Sequence, residues 1–279
     1  MLKKVANNSV IFFFLIISPV VLMALFSYVR INRELSQLIF ERRETIAFLA
    51  APSLDERFEN VIKAGRVILS GQEFRLKIEQ KRWDDAVGSF KNLSAELPFI
   101  DRVVLVDPSG RLMSDISKYP NMRKQNFTFG DENEKDEPNG GHEDKTEEKA
   151  YISEIYRQIE EPKHQVVDLM LPVRSTSEEF VAVVVLQIRL DLFLGWAQEI
   201  YIGEEGFTYF VDWKGNVAGH PEFSAQGDIV NFAGSPAIDN LLGGKKGIGI
   251  LDPGDGSETM LISYYPLEEF GWGAVVAQP

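Results

Sequence analysis

Two stretches of the chain share one sequence pattern, VVLVDPSGRLMS at 103–114 and TYFVDWKGNVAGH at 208–220. Each is an apolar run, then Asp-x-x-Gly, then a second apolar run, which is typical of a β-hairpin with glycine at its turn. Further along, FVAVVVLQI at 180–188 corresponds to GWGAVVAQP at 271–279. We interpret the repeat as two copies of one module, each with about five antiparallel strands, a hairpin first and a strand pair last.

Composition limits the classes of protein to consider. The 279 residues suffice for one large domain or two small ones. The formal net charge of −13 argues against a nucleic-acid partner, because that affinity depends on clustered Lys and Arg. The chain has no cysteine, which excludes disulfides and thiolate chemistry.

The N-terminal region predicts a membrane anchor. Residues 10–29, VIFFFLIISPVVLMALFSYV, carry no charge and are long enough to span a bilayer as a helix. Lys3 and Lys4 precede the span and place residues 1–9 in the cytoplasm. A cleaved signal peptide is the alternative, but it would have a shorter apolar region and a small-x-small cleavage site. We therefore expect residues 30–279 to be extracytoplasmic.

The region 30–97 predicts a long stalk helix and a shorter returning helix. From Ile31 to Leu69 the apolar residues recur at spacings of three, four and seven, and 81–97 repeats that pattern. The apolar stripe is expected to pack against the following domain. A share in a homodimer is a second use of the same stripe, and the two uses are compatible.

At this point the sequence resembles a known family, the double-Cache sensor domain, which consists of tandem PAS-like modules on bacterial chemoreceptors, sensor histidine kinases and related transducers. The resemblance covers essentially the whole chain, from Met1 to Pro279. The segments that carry it, in this order, are FIDRVVLVDPSGRL, FVAVVVLQIRLDLFL, GFTYFVDWKGNVAGHPEF and YYPLEEFGWGAVVAQP.

The resemblance implies an α+β fold: a transmembrane helix, a stalk helix, a membrane-distal PAS-like module at 98–195 and a membrane-proximal one at 196–279. It implies a location in the bacterial inner membrane, with a single N-terminal anchor. The distal module would bind a small molecule and the proximal module would pass the change across the membrane. The expected output, beyond Pro279, is a histidine kinase; a chemotaxis receptor is the alternative output. A docking ectodomain for a periplasmic binding protein is the alternative function.

The excursion at 113–165 contains an acidic loop at 131–149, with nine acidic residues, three lysines and no apolar residue. Such a composition is typical of a solvated loop that burial cannot order. Calcium binding is the alternative, since carboxylates suit that ion, but the loop lacks the ligand spacing of an EF-hand. We predict no metal site.

Seven residues around this excursion are candidate ligand-binding residues. Arg123 could pair an anionic group, aromatic rings could form walls with polar tips, and two polar strand residues could point into the pocket. For each, the alternative is a surface arginine, a core aromatic or a polar residue at a strand edge. The candidates are Tyr119, Arg123, Phe127, Tyr151, Tyr156, Asp168 and Gln187.

The sequence departs from the amino-acid-sensing branch of the family. Gly130 stands where that branch has its arginine, and Glu132-Asn133 replace its Trp-Tyr pair. Tyr151 matches the branch's later tyrosine, and Gln187 stands where its ammonium-binding aspartate is expected. The resemblance therefore leaves the ligand open.

No catalytic signature is present. The chain lacks a Gly-x-Ser-x-Gly elbow, a P-loop, a dinucleotide-binding unit and a helical pair of zinc-binding histidines. We therefore predict a sensor region without catalytic residues or cofactors.

Overall fold

The computed structural model describes residues 46–117, 149–158, 163–202, 205–224, 226–252, 259–267 and 269–278, together with Met23, 26–28 and Arg30. Most of the predicted membrane span at 10–29 and nearly all of the acidic loop lie outside the described residues. Within the described part of the chain, no helix combines the length and the apolar character that crossing a membrane requires.

The N-terminal half of the described chain is helical. The first helix, α1, is described over 46–70, and three short helices follow it: α2 (Gln72–Glu79), α3 (Trp83–Gly88) and α4 (Lys91–Glu96). The prediction of one returning helix over 81–97 is therefore wrong. The amides of Ser89 and Phe90 bond to carbonyls three residues earlier, which closes α3 and turns the Phe90 ring into the core.

The first sheet, the distal sheet, contains six antiparallel strands: β1 (Ile100–Val106), β2 (Leu112–Ser117), β3 (Tyr151–Ile152), β4 (Tyr156–Arg157), β5 (Gln165–Arg174) and β6 (Phe180–Arg189). Their order is β2-β1-β6-β5-β3, and β4 also pairs with β5. The hairpin β1–β2 lies beside the strand pair β5–β6, as the repeat predicts.

The second sheet, the proximal sheet, repeats this arrangement with five strands: β7 (Phe207–Val211), β8 (Val217–Ala218), β9 (Gly247–Leu251), β10 (Met260–Pro266) and β11 (Gly273–Gln278). Their order is β8-β7-β11-β10-β9. Helix α5 (Leu190–Phe193) and a 3₁₀ turn (Gly195–Glu199) lead into this sheet, and α6 (Pro236–Leu242) packs on it. The α+β fold with two antiparallel sheets confirms the predicted fold class.

The repeated Asp-x-x-Gly motif forms the same turn in both copies. Oδ1 of Asp107 accepts bonds from the amides of Ser109 and Arg111, and Oδ1 of Asp212 accepts from those of Lys214 and Asn216. The glycine of each motif has φ near +80°, at 80° for the first copy and 84° for the second, a region that favours glycine. The turn therefore has the same requirements in both copies: an aspartate that accepts from two amides and a glycine with positive φ.

Helix α1 packs on both sheets. Its fully buried face includes Leu54, Phe58 and Ile62, at spacings of four residues, and one hydrophobic core joins these side chains to the distal sheet and to the base of the proximal sheet. The Phe58 ring lies 4.8 Å from that of Phe193 and 5.5 Å from that of Trp272, measured between centroids. A single helix thus contacts both modules.

Candidate ligand-binding site

Residues paired across neighbouring strands point to the same side of a sheet, so the strand register assigns each side chain to a face. The two faces of the distal sheet differ in composition. One face carries Leu105, Leu169 and Leu186, which belong to the core shared with α1. The other side, called the far face below, carries a row of polar residues and an apolar patch. Polar groups beside an apolar surface are typical of a small-molecule site.

The polar row crosses the three central strands at one register position. Arg102 of β1 pairs with Gln187 of β6, which pairs with Asp168 of β5. All three side chains are buried. The apolar patch begins at the next position on the same face, where Val185 lies between Val104 and Met170.

Strand β4 adds a tyrosine to this row. The Tyr156 hydroxyl donates to Oδ1 of Asp168 at 2.8 Å and accepts from Nε2 of Gln187 at 2.6 Å. Ser153 contacts the backbone of Asp168 in β5: its amide donates to the Asp168 carbonyl at 3.0 Å, and its hydroxyl accepts from the Asp168 amide at 2.9 Å. Tyr156 therefore bonds to the Asp168 carboxylate, and Ser153 bonds to the Asp168 backbone.

Two further residues extend the network. Nε2 of Gln158 donates to Oε1 of Gln187 at 2.8 Å and to Oδ2 of Asp101 at 3.0 Å, which fixes the orientation of the Gln158 amide. Oε1 of Gln158 and Oδ1 of Asp101 are then buried without a hydrogen-bond partner. Buried acceptors are normally paired, and no described residue of the chain donates to these two atoms, so they are available to a ligand's donors.

Among the residues that the structure describes, Arg102 supplies the one positive charge of this cluster, and it is already paired. Nε and Nη2 of Arg102 donate to Oδ2 of Asp115 at 3.0 and 2.8 Å. Three carboxylates, those of Asp101, Asp115 and Asp168, therefore stand against one guanidinium. This balance of charge favours a cationic or donor-rich ligand over an anionic one.

Burial shifts the acid–base equilibria of the site. Burial raises the pKa of Asp168 from 3.8 to about 6, although the Tyr156 hydrogen bond and the charge of Arg102 act in the opposite direction. The pKa of Tyr156 is raised well above its ordinary value, first by burial and then by the neighbouring Asp168 carboxylate. The phenol is therefore a neutral donor at every physiological pH.

The structure brings together three of the seven predicted site residues. Tyr156, Asp168 and Gln187 form one hydrogen-bonded group, and Tyr151, which pairs with Met170, packs against the apolar patch of the same face. The other three predictions lie outside the described residues and stay predictions: Tyr119, Arg123 and Phe127.

Sequence reasoning missed Asp101, Arg102, Asp115 and Gln158. A signal was present, since IDRVVLV places two charged residues inside a strand that is otherwise apolar and wholly buried. The register shift between Ile100 and Arg102 lets both charged residues join the network. No group of three or more His, Asp or Glu in the described ranges is arranged to hold a metal ion.

The two antiparallel sheets, each built from a hairpin beside a strand pair, define a tandem-module α+β domain. The chain belongs to the Cache domain family, whose model matches residues 31–279. Cache domains of receptors and kinases are non-catalytic ligand-binding modules, so the chain is a sensor region rather than an enzyme. The predicted resemblance to double-Cache domains is confirmed.

Solved structures show the same fold. "Methyl-accepting Chemotaxis protein X" matches with a TM-score of 0.60 at 17% identity, over 88% of this chain and 99% of that one. The periplasmic sensory domain of the Campylobacter jejuni chemoreceptor Tlp1 matches with a TM-score of 0.58 at 11% identity, over 88% and 96%. An extracellular domain assigned to a histidine kinase, rpHK1S-Z16, matches with a TM-score of 0.56 at 15% identity, over 89% and 96%.

No curated protein matches the sequence.

Proposed function

We propose that this chain is the extracytoplasmic ligand-sensing region of a membrane-anchored bacterial signal transducer, and that it binds a small molecule on the far face of the distal sheet. The observation that carries this proposal is the hydrogen-bonded group of Tyr156, Asp168 and Gln187 beside an apolar patch. Membership of the Cache family supports sensing in general.

The chemistry of the site supports a ligand with hydrogen-bond donors and a positive charge, such as a small amine. Oδ1 of Asp101 and Oε1 of Gln158 accept from no described residue, and the carboxylates of the described cluster outnumber its single guanidinium. Val104, Met170 and Val185 offer an apolar wall to the carbon skeleton of such a ligand.

The anchor at 10–29 would hold the sensor in the cytoplasmic membrane, with a homodimer formed through the stalk helix. Leu49 and Val67 support the dimer: they are 58% and 72% exposed, and they lie five helical turns apart on one face of α1. Ligand binding would shift the population of two dimer arrangements by its differential affinity for them. In this proposal the output domain is a histidine kinase. Sensor domains from both chemotaxis proteins and histidine kinases have the same fold.

A thermal-shift experiment on the full chain in detergent tests the ligand proposal. The probes are ethanolamine, putrescine and a set of amino acids, compared with acetate and succinate. A ligand at 100 times its dissociation constant stabilises by about 2.7 kcal/mol, which at roughly 2–4 °C per kcal/mol raises the melting temperature by about 5–10 °C. We expect this shift with an amine and not with the two acids.

Matched glutamine variants locate the binding site. Gln187→Ala removes a member of the polar row and is expected to abolish the shift, whereas Gln72→Ala, on the exposed side of α2, is expected to retain it. A shift that survives Gln187→Ala, or one produced only by the acids, would contradict this site. A folded protein that responds to no probe would favour docking of a binding protein instead.

A further inference from the structure

Strand β4 and the residues around it contact both modules. Within 153–158, Tyr156 and Gln158 belong to the polar network of the distal sheet. The residues that alternate with them contact the proximal module: the Ile155 amide donates to Oδ2 of Asp212 at 2.7 Å, and Arg157 pairs with Asp228 at 3.0 Å. This alternation follows from the period of two in an extended chain.

The contact at Asp212 is the central one, because it is buried. Asp212 is fully buried and the Ile155 side chain is 2% exposed, within the core that also contains Phe210 and Trp272 of the proximal module. A buried amide bonded to a carboxylate is a charge-assisted hydrogen bond, about twice as strong as a neutral one. An ion pair between Lys214 and Glu154, at 2.8 Å, lies beside it.

The duplication supplies an internal comparison. Asp107 and Asp212 occupy the same position in the two Asp-x-x-Gly turns, and each uses Oδ1 to hold its own turn. Asp212 also uses Oδ2, which accepts from Nδ2 of Asn216 and from the Ile155 amide. The described contacts of Asp107 are confined to its own turn. The aspartate of the second copy, Asp212, therefore makes a contact between the modules that the formation of its turn does not require.

We propose that Asp212 is a positioning residue for the distal ligand site, and that segment 153–158 transmits the state of that site to the proximal hairpin through the Ile155–Asp212 bond. This inference rests on the proposed function of the far face. A ligand that engages Tyr156 or Gln158 shifts the segment, and the Ile155 amide shifts with it. Coupling between two sites is reciprocal, so a change at Asp212 also alters the site.

Hydrogen exchange on the full chain tests the connection without any ligand. Tyr156→Phe removes the hydroxyl that joins Asp168 and Gln187, and the amides of 207–220 are then measured by mass spectrometry. We expect them to exchange about 5-fold faster than in the wild type, the effect of losing roughly one hydrogen bond of local stability. In the Asp212→Asn background, Tyr156→Phe is expected to add no further acceleration.

Asp107→Asn is the matched control. Asparagine keeps Oδ1 for the turn in either copy, whereas at position 212 its Nδ2 replaces the oxygen that accepts from the Ile155 amide. The Asp107→Asn background is expected to retain the full effect of Tyr156→Phe. An equal acceleration in the Asp212→Asn background, or none in the wild type, would overturn the proposal.

A second variant tests the same connection without changing Asp212, in case Asp212→Asn fails to fold. Glu154→Lys places two cations at the partly exposed ion pair beside the bond, and Lys214→Glu added to it restores an opposite-charge pair. We expect Glu154→Lys to reduce the effect of Tyr156→Phe and the double reversal to restore it. An undiminished effect in Glu154→Lys overturns the connection. Because no ligand is used, this failure is distinct from a failure of the amine screen.

Discussion

The Tyr156 hydroxyl donates a 2.8 Å hydrogen bond to Oδ1 of Asp168 on the far face of the distal sheet, where Asp168 is buried and Tyr156 is half-buried. The bond satisfies the carboxylate only in part, because burial still holds the pKa of Asp168 at about 6. A carboxyl with a pKa this high is costly to ionise at neutral pH. Such a cost is typical of a functional site rather than of a position selected for stability.

The first prediction concerns the pH dependence of the Asp168 contribution. The folded-state pKa of about 6 lies above the ordinary 3.8, so the carboxyl's contribution to stability is greatest below pH 3.8 and is lost as pH rises to about 6. Above that pH the deficit amounts to about 3 kcal/mol. Asp168→Asn is therefore expected to unfold at a higher denaturant concentration than the wild type at pH 8 and to lose this advantage near pH 4.

The comparison uses urea unfolding of the full chain at several pH values, with Asp85→Asn, at an exposed position of α3, as the control carboxylate variant. Asp168→Asn is also expected to abolish the amine response, so stability and ligand binding move in opposite directions. A variant that is less stable than the wild type at pH 8 would show that the carboxylate stabilises the fold.

A second prediction concerns His220 in the proximal module. Burial lowers the pKa of His220 from 6.5 to about 4, and the ring stacks on Phe223 with 4.0 Å between centroids. The folded state keeps the imidazole neutral while the unfolded state takes up a proton, so stability falls as pH drops from 6.5 to about 4. The slope approaches about 1.4 kcal/mol per pH unit for one proton.

His220→Phe is expected to remove that acid-side loss while keeping the aromatic packing. Unfolding curves at pH 7 and pH 5 measure it, as the difference between variant and wild type. Asp168 and His220 titrate in overlapping pH ranges, and their effects on the free energy of unfolding have opposite signs. Removing one group should therefore make the pH dependence caused by the other easier to measure. An unchanged pH slope in His220→Phe would mean that the imidazole is protonated in the folded protein.

A third prediction tests the contact between α1 and the distal sheet. A Cβ added at Gly65 would overlap Cδ1 of Leu171, a fully buried side chain of β5. Gly65→Ala is expected to destabilise by about 1–3 kcal/mol through overpacking, less the small gain in helix propensity. Gly88→Ala is the control, since a Cβ at Gly88 meets nothing within 4 Å. If Gly65→Ala is as stable as Gly88→Ala in thermal unfolding, the helix does not approach β5 this closely.

A fourth prediction concerns Phe58, whose ring contacts Phe193, Phe270 and Trp272 where the two modules meet. Phe58→Ala is expected to cost about 3–5 kcal/mol, as for other buried aromatic truncations. Leu49→Ala, on the exposed side of α1, is expected to change the monomer's stability by less than about 0.5 kcal/mol. A similar loss in both variants, measured by urea unfolding at low protein concentration, would contradict this distribution of burial along the helix.

Much of the fold was predictable, because the duplicated motif is a local signal. Asp107 and Asp212 specify their turns through bonds to amides two and four residues later, and Gly110 and Gly215 supply the positive φ. The alternating apolar residues on either side then set the strand pairs. The returning helix was predicted incorrectly, because periodicity does not reveal that Phe90 leaves the helical path to enter the core.

The candidate site was predictable only in part. The polar strand residues Asp168 and Gln187 were conspicuous in apolar runs, but their pairing with Arg102 depends on the register between strands that are far apart in sequence. Asp101 joins the site only because of a register shift at the start of β1. Neither the register nor the shift is determined by local sequence.

The sequence by itself determined the two modules, their hairpins, the apolar face of the first helix and the family. These features depend on turn chemistry and on side-chain period, which act within a few residues. Only the tertiary structure decided which polar side chains meet on the far face, which acceptors there have no donor among the described residues, and that Asp212 bonds to Ile155 across the modules. Those relationships depend on the packing of segments about sixty residues apart, because burial and hydrogen-bond geometry arise only when the sheets and the helix assemble.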